Sequence, residues 1–357
     1  MTNKKALIAM SGGVDSSVAA YLIKNMGFDA VGATMKLFNG YADEARPNSC
    51  CSLSDVEDAK SVAYKLGMPY YVFNFTDKFS ECVIDKFVNS YEHGATPNPC
   101  IDCNRYLKFE KLYQRAMELK ADFVVTGHYA KVLKDGKTGR FLLKKATDIT
   151  KDQSYVLYSL TQEQLSHTLF PLGDLEKSEV RKIAEKCGFI NARKHDSQDI
   201  CFVQNGKYAD FIEEYMNKTY PPGDFLDKNG HVLGRHKGII RYTVGQRRGL
   251  GIAYEHSLYV ISINPSENTV ILGDEKDLYS KVLYASDINL ISVESLDKPM
   301  RVKAKVRYSQ GESGAVISPD KDGVLKVEFD EPQRAVTKGQ AVVFYDGDTV
   351  VGGGTII

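Results

Sequence analysis

The sequence predicts an α/β protein in which an N-terminal parallel sheet is followed by a small mixed domain and a C-terminal antiparallel β-barrel. Two observations predict this order. In the first half of the chain, short apolar runs alternate with helical patterns, which is typical of parallel strands joined by helices. In the second half, strand patterns follow one another with apolar and polar residues alternating, which is typical of antiparallel sheets with one solvated face.

The N-terminal elements follow from apolar periodicity. Short, mainly apolar runs predict strands at residues 6–10, 30–37, 70–75 and 123–126. Helical patterns lie between them at residues 16–26 and 55–66. Gly27 and Gly67 follow these helices directly, and glycine commonly ends a helix because it adopts the left-handed conformation without strain. We therefore predict a parallel sheet that helices cover on both faces.

The second half predicts hairpins and a barrel. Residues 258–263 and 269–272 flank a Pro-Ser-Glu-Asn turn, which indicates a hairpin. Further strands are predicted at residues 301–308, 324–329, 341–345 and 349–351. We therefore predict three domains, at residues 1–204, 205–280 and 281–357.

Bulk composition restricts the function. The 357 residues are 43% apolar and 26% charged, close to ordinary globular values, so neither disorder nor a fibre is indicated. Lysine and arginine (46) balance aspartate and glutamate (46), so a nucleic-acid partner would need a local basic surface. The apolar run at 6–10 is too short for an export signal, and no run approaches membrane length. We expect a cytoplasmic protein without membrane contact, whose seven cysteines are reduced thiols.

A glycine pair joins the first predicted strand to the first helix, in the sequence Ser-Gly-Gly-Val-Asp-Ser-Ser at residues 11–17. Such a loop presents backbone N–H groups, and the helix N-terminus behind it favours an anion, so we predict a phosphate site. The alternative is a capped turn with incidental glycines. The Gly-Lys-Ser/Thr ending of a Walker A loop is missing. Asp15 would repel bare phosphate, which suggests either a magnesium ion or a role in holding the loop.

Two segments carry candidate catalytic thiols. Residues 96–104 predict a rigid loop ahead of a helix starting at Arg105, with Cys100 and Cys103 spaced as C-x-x-C. A cysteine near a helix start favours the thiolate. Cys201 lies about a hundred residues further on. A structural zinc site is disfavoured, since no second C-x-x-C or histidine pair completes it.

Two other cysteines, Cys82 and Cys187, lie in helical apolar patterns. An isolated cysteine of this kind is more often core filler than nucleophile, so we predict buried structural thiols at both positions.

Taken together, the motifs resemble the bacterial tRNA-specific 2-thiouridylase family of the PP-loop ATPase superfamily. The resemblance covers nearly the whole chain. It rests on S-G-G-V-D-S-S at 11–17, C-C-S at 50–52, T-P-N-P-x-x-x-C-N at 96–104, T-G-H-Y-A at 126–130, K-D-Q-S-Y at 151–155, the segment around Cys201, G-Q-R-R-G-L-G at 245–251 and R-Y at 307–308.

The resemblance implies an N-terminal ATP-binding catalytic domain of the adenine-nucleotide α-hydrolase type and a central tRNA-binding domain. By it, ATP would contact Ala9, Met10, Ser11, Gly12, Gly13, Val14, Asp15, Ser16, Met35 and Gly127. The target base would lie against Asn98, Pro99 and Cys100. The tRNA would touch His128, Lys151, Asp152, Gln153, Arg307, Tyr308 and Gln340. In one departure, the family often has aspartate where this chain has Cys100.

The resemblance also implies a reaction. ATP, with Mg²⁺, would adenylate the C2 oxygen of the wobble uridine (U34), releasing pyrophosphate. A persulfide on Cys201 would deliver sulfur, and Cys103 would act as the nucleophile that ends in a disulfide with it. Expected partners are tRNAs with Lys, Glu and Gln anticodons and a sulfur donor, such as a cysteine desulfurase or a sulfur-relay protein.

Three alternatives stay open. An iron–sulfur cluster on Cys100, Cys103 and Cys201 could deliver sulfide instead, because thiolates are its usual ligands. A small-molecule ligase of the same superfamily would share the loop, and a tRNA-binding protein without chemistry would share the basic surface. That surface is a glycine-rich basic stretch around Tyr242. By composition alone it is an ordinary solvated face, and the resemblance favours RNA binding. Its basic residues are Arg235, His236, Lys237, Arg241, Arg247 and Arg248.

Overall fold

The computed structural model describes residues 4–38, 53–196, 200–203 and 206–357. The Cys50-Cys51-Ser52 motif lies outside these residues. Contacts divide the chain into two compact units. Unit 1 comprises Met1–Val83, Cys100–Phe202 and Asp348–Val351, and unit 2 comprises Ile84–Pro99, Val203–Gly347 and Gly352–Ile357. The finer division into three domains stays a prediction.

Unit 1 contains a five-stranded parallel sheet in the order β3-β2-β1-β4-β7. The predicted parallel sheet is therefore confirmed, and its first four strands lie within two residues of the predicted bounds. The strands are β1 (Lys5–Ala9), β2 (Asp29–Lys36), β3 (Tyr70–Asn74), β4 (Phe123–Val125) and β7 (Thr168–Leu169).

Helices and a hairpin complete unit 1. The helices are α1 (Val14–Asn25), α2 (Leu53–Lys65), α3 (Thr76–Phe79), α5 (Pro99–Asp102), α6 (Leu112–Glu118), α7 (Gln162–Ser166) and α8 (Lys177–Lys186). The hairpin strands are β5 (Lys131–Lys134) and β6 (Phe141–Lys144). Residues of α1, α2 and α8 form one core cluster with β1.

Burial of the sheet is uneven. The central strands β1 and β2 are buried along nearly their whole length, as a fully covered parallel sheet requires. The edge strand β3 differs, because Tyr71 is 47% exposed and Val72 is 48% exposed. The prediction of a sheet covered on both faces is therefore wrong at this edge.

The helix that carries the C-x-x-C pair starts earlier than predicted. It begins at Pro99, continues as a π-helical segment over Cys103–Lys111 and then becomes α6. The prediction of a loop up to a helix start at Arg105 is therefore wrong beyond Asn98. Proline suits the first helical position, since its missing N–H has no partner there and its fixed φ is already helical. Cys100 consequently lies in the first turn, and Cys103 lies one turn inside.

Unit 2 begins with α4 (Asp85–Glu92) and continues after the long excursion through unit 1 with α9 (Tyr208–Met216). A four-stranded sheet follows in the order β10-β11-β8-β9. The antiparallel pairing of β10 with β11 confirms the predicted hairpin. The strands are β8 (Gly223–Leu226), β9 (Val232–His236), β10 (Tyr259–Asn264) and β11 (Thr269–Gly273).

The predicted C-terminal barrel is confirmed. Six strands run in the order β12-β15-β14-β13-β16-β17, and pairing of β12 with β17 closes the ring. They are β12 (Tyr279–Leu290), β13 (Met300–Lys305), β14 (Ser313–Pro319), β15 (Leu325–Arg334), β16 (Ala341–Asp346) and β17 (Thr349–Ile356). Successive side chains of a strand point to opposite faces of the sheet, so in β13 Val302 and Ala304 are buried whereas Arg301 and Lys303 are exposed. Within the described parts of the chain, no helix has the length and apolar character needed to span a membrane.

Candidate active site

The glycine pair forms the turn between β1 and α1. Gly12 adopts the left-handed conformation, with φ +74°. It also packs so closely on Asp55 of α2 that a Cβ atom would lie 2.7 Å from the Asp55 Cα. Gly13 precedes the helix in an extended conformation, and no side chain caps the helix there. The helix N-terminus therefore keeps its positive end directed at the turn, which favours an anion.

The serine hydroxyls brace this turn from inside. Ser16 Oγ donates to the Gly13 carbonyl (3.0 Å) and accepts from the Ser11 N–H (3.2 Å). Ser17 Oγ also donates to the Gly13 carbonyl, at 3.0 Å. These bonds hold the loop in its turned shape, in addition to any role as donors to a ligand.

The other residues predicted to contact ATP lie around the same turn. Ala9 and Met35 lie at the carboxyl ends of the neighbouring strands β1 and β2. Gly127 follows β4, and a Cβ atom there would lie 2.7 Å from the Ser16 nitrogen. The carboxyl ends of adjacent parallel strands are the usual place for a ligand in such sheets. The structure thus brings the ten residues predicted to contact ATP together at the carboxyl ends of the parallel strands.

Asp15 is held by two groups that the sequence did not indicate. Lys177 Nζ lies 2.7 and 2.8 Å from its two carboxylate oxygens, and the Tyr129 hydroxyl donates to it at 2.8 Å. Burial and the neighbouring Asp15 carboxylate raise the pKa of Tyr129, so the hydroxyl keeps its proton. Of the two interpretations for Asp15, this geometry favours a role in holding the loop.

The same lysine reaches a second carboxylate. Lys177 Nζ lies 2.7 Å from Asp196, which also pairs with Lys151 at 2.9 Å and Arg181 at 3.1 Å. Burial opposes ionisation of Asp196, but its hydrogen bonds to Lys177 and Lys151 outweigh burial and lower its pKa.

A buried amide connects this region to the loop backbone. Asn191 Nδ2 donates to the Gly12 carbonyl (2.8 Å) and to Ser17 Oγ (2.9 Å). Lys194 pairs with Asp55 and Asp58 of α2, at 2.6 and 2.7 Å. Hydrogen bonds and ion pairs therefore connect residues 191–196 to the glycine loop and to α2. Cys201 follows a few residues further along the chain.

Two residues of unit 1 that were predicted to contact tRNA form hydrogen bonds within the protein. The buried carboxylate of Asp152 accepts from the Ala146 N–H (3.0 Å) and from the Ser154 hydroxyl (2.7 Å). Gln153 Oε1 accepts from the Tyr129 N–H at 3.0 Å. These bonds brace the turn that presents Tyr129 to Asp15.

His128 is buried beside the loop, only 8% exposed. Its Nδ1 lies 2.7 Å from Thr126 Oγ1, and its ring packs between Phe109 and Phe170. Burial first, and the charge of Lys108 second, hold the pKa of His128 well below its usual range. The imidazole is therefore neutral near pH 7.

The three candidate thiols differ in exposure. Cys100 is exposed, whereas Cys103 and Cys201 are partly buried. Phe202 packs edge-on against Phe79, with ring centroids 5.7 Å apart, which anchors the residue after Cys201. Over residues 4–38, 53–196, 200–203 and 206–357, no three His, Cys, Asp or Glu side chains are grouped so as to hold a metal ion. The described arrangement thus does not assemble the cluster ligand set.

Two further cysteines within the described residues correct a prediction. Cys82 and Cys187 are both partly exposed and not fully buried. Cys82 lies in a π-helical segment (Ser80–Ile84), and Cys187 lies directly after α8. Helical periodicity therefore did not resolve how deeply each side chain is buried.

The predicted tRNA contacts in unit 2 lie around the barrel. Arg307 donates to the Ala335 carbonyl and to Thr337 Oγ1, both at 2.7 Å, while Tyr308 is 42% exposed. Gln340 Nε2 donates to the Thr96 carbonyl at 2.7 Å, two residues before Asn98. Arg307 and Gln340 therefore also have structural partners.

The basic stretch is not a uniform surface. Arg247 and Arg248 are exposed, and Arg247 borders a cavity of about 450 Å³ that Tyr254 and His256 also line. Arg241 is paired with Asp210 (2.8 Å) and Glu213 (2.6 Å).

His236 differs again within this stretch. It is only 1% exposed, and burial lowers its pKa, so it is a neutral core histidine. The part of the stretch open to a phosphate backbone therefore comprises Arg247 and Arg248 together with the exposed Arg235 and Lys237, of which Arg235 lies 3.5 Å from Asp224.

The fold and the turn define a PP-loop type nucleotide-binding protein with a C-terminal β-barrel. Three family models match the chain. Their descriptions are tRNA methyl transferase HUP domain (residues 4–205), tRNA methyl transferase PRC-barrel domain (209–274) and Aminomethyltransferase beta-barrel domain (280–356).

Curated relatives match from end to end. A protein of Clostridioides difficile is 53% identical over 354 residues, covering 99% of this chain and 98% of the relative. A protein of Acetivibrio thermocellus is 53% identical over 358 residues, covering 100% of both. Both are named tRNA-specific 2-thiouridylase MnmA. The chain belongs to the tRNA-specific 2-thiouridylase family.

Proposed function

We propose that this protein is an ATP-dependent tRNA-uridine 2-sulfurtransferase that thiolates the wobble uridine, U34, in the cytoplasm. The observation that carries the proposal is the uncapped helix N-terminus at Gly12 and Gly13, in a chain that matches thiouridylases over its full length. A helix N-terminus binds polyphosphate through backbone N–H groups and its positive dipole.

In the proposed first step, ATP activates the base. The C2 oxygen of uridine attacks the α-phosphate, pyrophosphate leaves, and C2 then carries AMP as a leaving group. Ala9–Ser16, Met35 and Gly127 would surround the nucleotide, because they share one edge of the sheet. A Mg²⁺ ion would be held mainly by the phosphates themselves, since Asp15 already pairs with Lys177.

In the proposed second step, two thiols transfer sulfur. The terminal sulfur of a Cys201 persulfide attacks C2, and the C2–O bond to AMP breaks. The Cys103 thiolate then attacks the Cys201 Sγ atom, the persulfide S–S bond breaks, and its electron pair stays on the sulfur now bound to C2. A Cys103–Cys201 disulfide results, so each turnover requires an external dithiol reductant. Cys103 lies one turn into its helix and is partly buried.

The substrate contacts complete the proposal. The base must leave the anticodon stack to reach the partly buried thiols of Cys103 and Cys201, as it does in other base-modifying enzymes. Asn98, Pro99 and Cys100 would face it. His128, Lys151–Gln153, Arg307, Tyr308 and Gln340 would lie along the tRNA, with Lys, Glu and Gln anticodons as substrates. A cysteine desulfurase or a sulfur-relay protein would load Cys201.

The alternatives have less support. An iron–sulfur route needs Cys100, Cys103 and Cys201 together, and the described residues contain no such three-ligand group. A small-molecule ligase would not need the middle segment and the barrel, which the relatives share. A tRNA-binding protein without chemistry would not need the anion-binding turn.

One assay separates these functions. The protein is incubated with ATP, cysteine, a cysteine desulfurase, a dithiol reductant and a tRNA bearing U34, and the digested RNA is analysed for 2-thiouridine by mass spectrometry. We expect 2-thiouridine together with equimolar AMP and pyrophosphate, and no product from the same tRNA carrying cytidine at position 34. AMP release that does not depend on tRNA would indicate the ligase. No ATP consumption would indicate a binding protein.

A further inference from the structure

Lys177 is a nearly buried cation at the first residue of α8, with a side chain only 11% exposed. Its ammonium group lies within 2.8 Å of both carboxylate oxygens of Asp15 and 2.7 Å from Asp196. It also lies 5.8 Å from the centre of the Tyr129 ring. Burying an ammonium group is unfavourable unless it is paired, so the two carboxylates stabilise the buried Lys177 ammonium group in this position.

The carboxylate of Asp15 presents an electrostatic problem. Asp15 lies in the first turn of α1, where the helix N-terminus is prepared for an anion. An unpaired carboxylate there would occupy the positive end of the helix and repel a polyphosphate. The pairing with Lys177 cancels this charge, and the bond from Tyr129 fixes the direction of the carboxylate.

The surrounding charges support the same role. Asp196 is the second carboxylate paired with Lys177, and it also pairs with Lys151 and Arg181. A third carboxylate, Asp148, accepts from the Lys177 N–H at 3.0 Å. The group therefore contains three carboxylates and three cations, so it adds no net negative charge beside the loop.

We propose that Lys177 is a positioning residue that neutralises Asp15 and holds it away from the anion site, so that the polyphosphate of ATP can bind at the helix N-terminus. The proposal rests on the proposed function only in naming ATP as the anion. The competing role is direct contact between the Lys177 ammonium and a phosphate. The two roles differ in one respect: neutralisation becomes unnecessary when Asp15 has no charge.

A double-mutant cycle separates the two roles. ATP affinity is measured by isothermal titration calorimetry for the wild type, Lys177→Met, Asp15→Asn and the double variant. We expect Lys177→Met to weaken ATP binding at least tenfold, and we expect the addition of Asp15→Asn to restore the affinity of Lys177→Met at least threefold. A double variant as weak as Lys177→Met would overturn the proposal in favour of direct phosphate contact. Undiminished binding by Lys177→Met would also overturn it.

Two further measurements exclude a merely structural effect. Adenosine carries no phosphate, so its affinity should not change in Lys177→Met, whereas a disordered site would lose both ligands and contradict the proposal. Lys182→Met removes an exposed lysine from the same helix and should bind ATP as the wild type does.

If Lys177→Met does not fold, Lys177→Gln takes its place in the cycle, and the addition of Asp15→Asn should again restore ATP affinity at least threefold. All these binding measurements need neither tRNA nor a sulfur donor. Failure of the Lys177 proposal is therefore distinguishable from failure of the proposed function, which would appear as absence of 2-thiouridine.

Discussion

Gly12 contacts the backbone of Asp55 so closely that residue 12 has no room for a side chain. A Cβ atom would overlap the Asp55 carbonyl oxygen, and the φ of +74° is strained for any other residue. The neighbouring Gly13 is different, because its φ is −86° and the nearest atom to a Cβ would be Ser11 Oγ at 3.4 Å. Position 12 therefore accepts only glycine, whereas the neighbouring position 13 has room for a Cβ atom.

This difference in the space available at Gly12 and Gly13 predicts opposite results for alanine substitution at the two positions. Gly12→Ala should lower stability by more than the roughly 1–3 kcal/mol of backbone strain, because the overlap with α2 adds to it, and ATP binding should be lost. Gly13→Ala should change the thermal unfolding midpoint by less than about 2 °C, since it fits without overlap. Differential scanning fluorimetry with and without ATP measures both effects. Equal tolerance of the two substitutions would contradict the close approach to Asp55.

The thiols predict a second contrast. Cys103→Ser and Cys201→Ser should each reduce 2-thiouridine formation at least a thousandfold, because the hydroxyl forms neither persulfide nor disulfide. Cys82→Ser and Cys187→Ser are the matched controls and should keep most activity. Mass spectrometry of digested tRNA after single-turnover reactions provides the readout. Full activity of either Cys103→Ser or Cys201→Ser would rule out the two-thiol mechanism.

Cys100 tests the alternative sulfur route. If sulfur passes only through Cys201 and Cys103, Cys100→Ala should retain most activity, and Cys100→Asp, the residue common in the family, should also be active. Protein purified without oxygen is assayed for iron, for thiolate-to-iron absorbance and for 2-thiouridine. Stoichiometric iron in the wild type, lost with activity in Cys100→Ala, would establish the cluster route and refute the persulfide route.

The exposed arginines predict salt-dependent tRNA binding despite zero net charge. Affinity should fall steeply with ionic strength, because each neutralised phosphate releases counterions. Arg247→Ala combined with Arg248→Ala should weaken binding and reduce the slope of log affinity against log salt by about 1–2. Arg241→Ala is the comparison, since Asp210 and Glu213 already neutralise that guanidinium. Filter binding at several salt concentrations measures the slopes, and an unchanged slope in the double variant would locate the RNA surface elsewhere.

Neutral, buried His128 predicts a pH effect on stability. Its folded pKa lies well below the value of about 6.5 expected in the unfolded chain, so the unfolded state binds the proton first. Stability is therefore full above about pH 6.5 and falls by up to about 1.4 kcal/mol per pH unit below it, until the folded pKa is reached.

Urea midpoints at pH 7.5 and 5.5 test this effect. The midpoint should fall less in His128→Asn than in the wild type, whereas substitution of the exposed His195 by asparagine should leave the wild-type difference. Equal pH dependence in all three proteins would show that His128 titrates normally.

The sequence predicted the parallel sheet, the barrel and the glycine turn because local signals specify them. Apolar periodicity predicted four of the five strands of the sheet to within two residues, and it missed the two-residue edge strand β7. The helix start at Pro99 was missed because a proline pair usually indicates a loop, although the second proline suits a first helical position.

The partners of Asp15 required the tertiary structure. Tyr129 lies within the T-G-H-Y-A motif, which pointed to its neighbourhood but not to its hydrogen bond. Lys177 lies 162 positions from Asp15, in a helix whose sequence is that of an ordinary charged surface helix, and Asn191 lies 179 positions from Gly12. No local pattern connects such residues.

The distribution of unit 2 along the chain has a consequence for dividing or recombining the gene. The α4 segment belongs to unit 2, yet more than a hundred residues separate it from the rest of that unit. There the Tyr91 ring stacks on Tyr208 at 4.6 Å, and Glu92 accepts from Lys218 and Tyr220 at 2.8 and 2.7 Å. A fragment ending at residue 203 would carry α4 without these partners, and the complementary fragment would lack α4. Chimaeras joined at this position must therefore take α4 and the C-terminal part from the same parent.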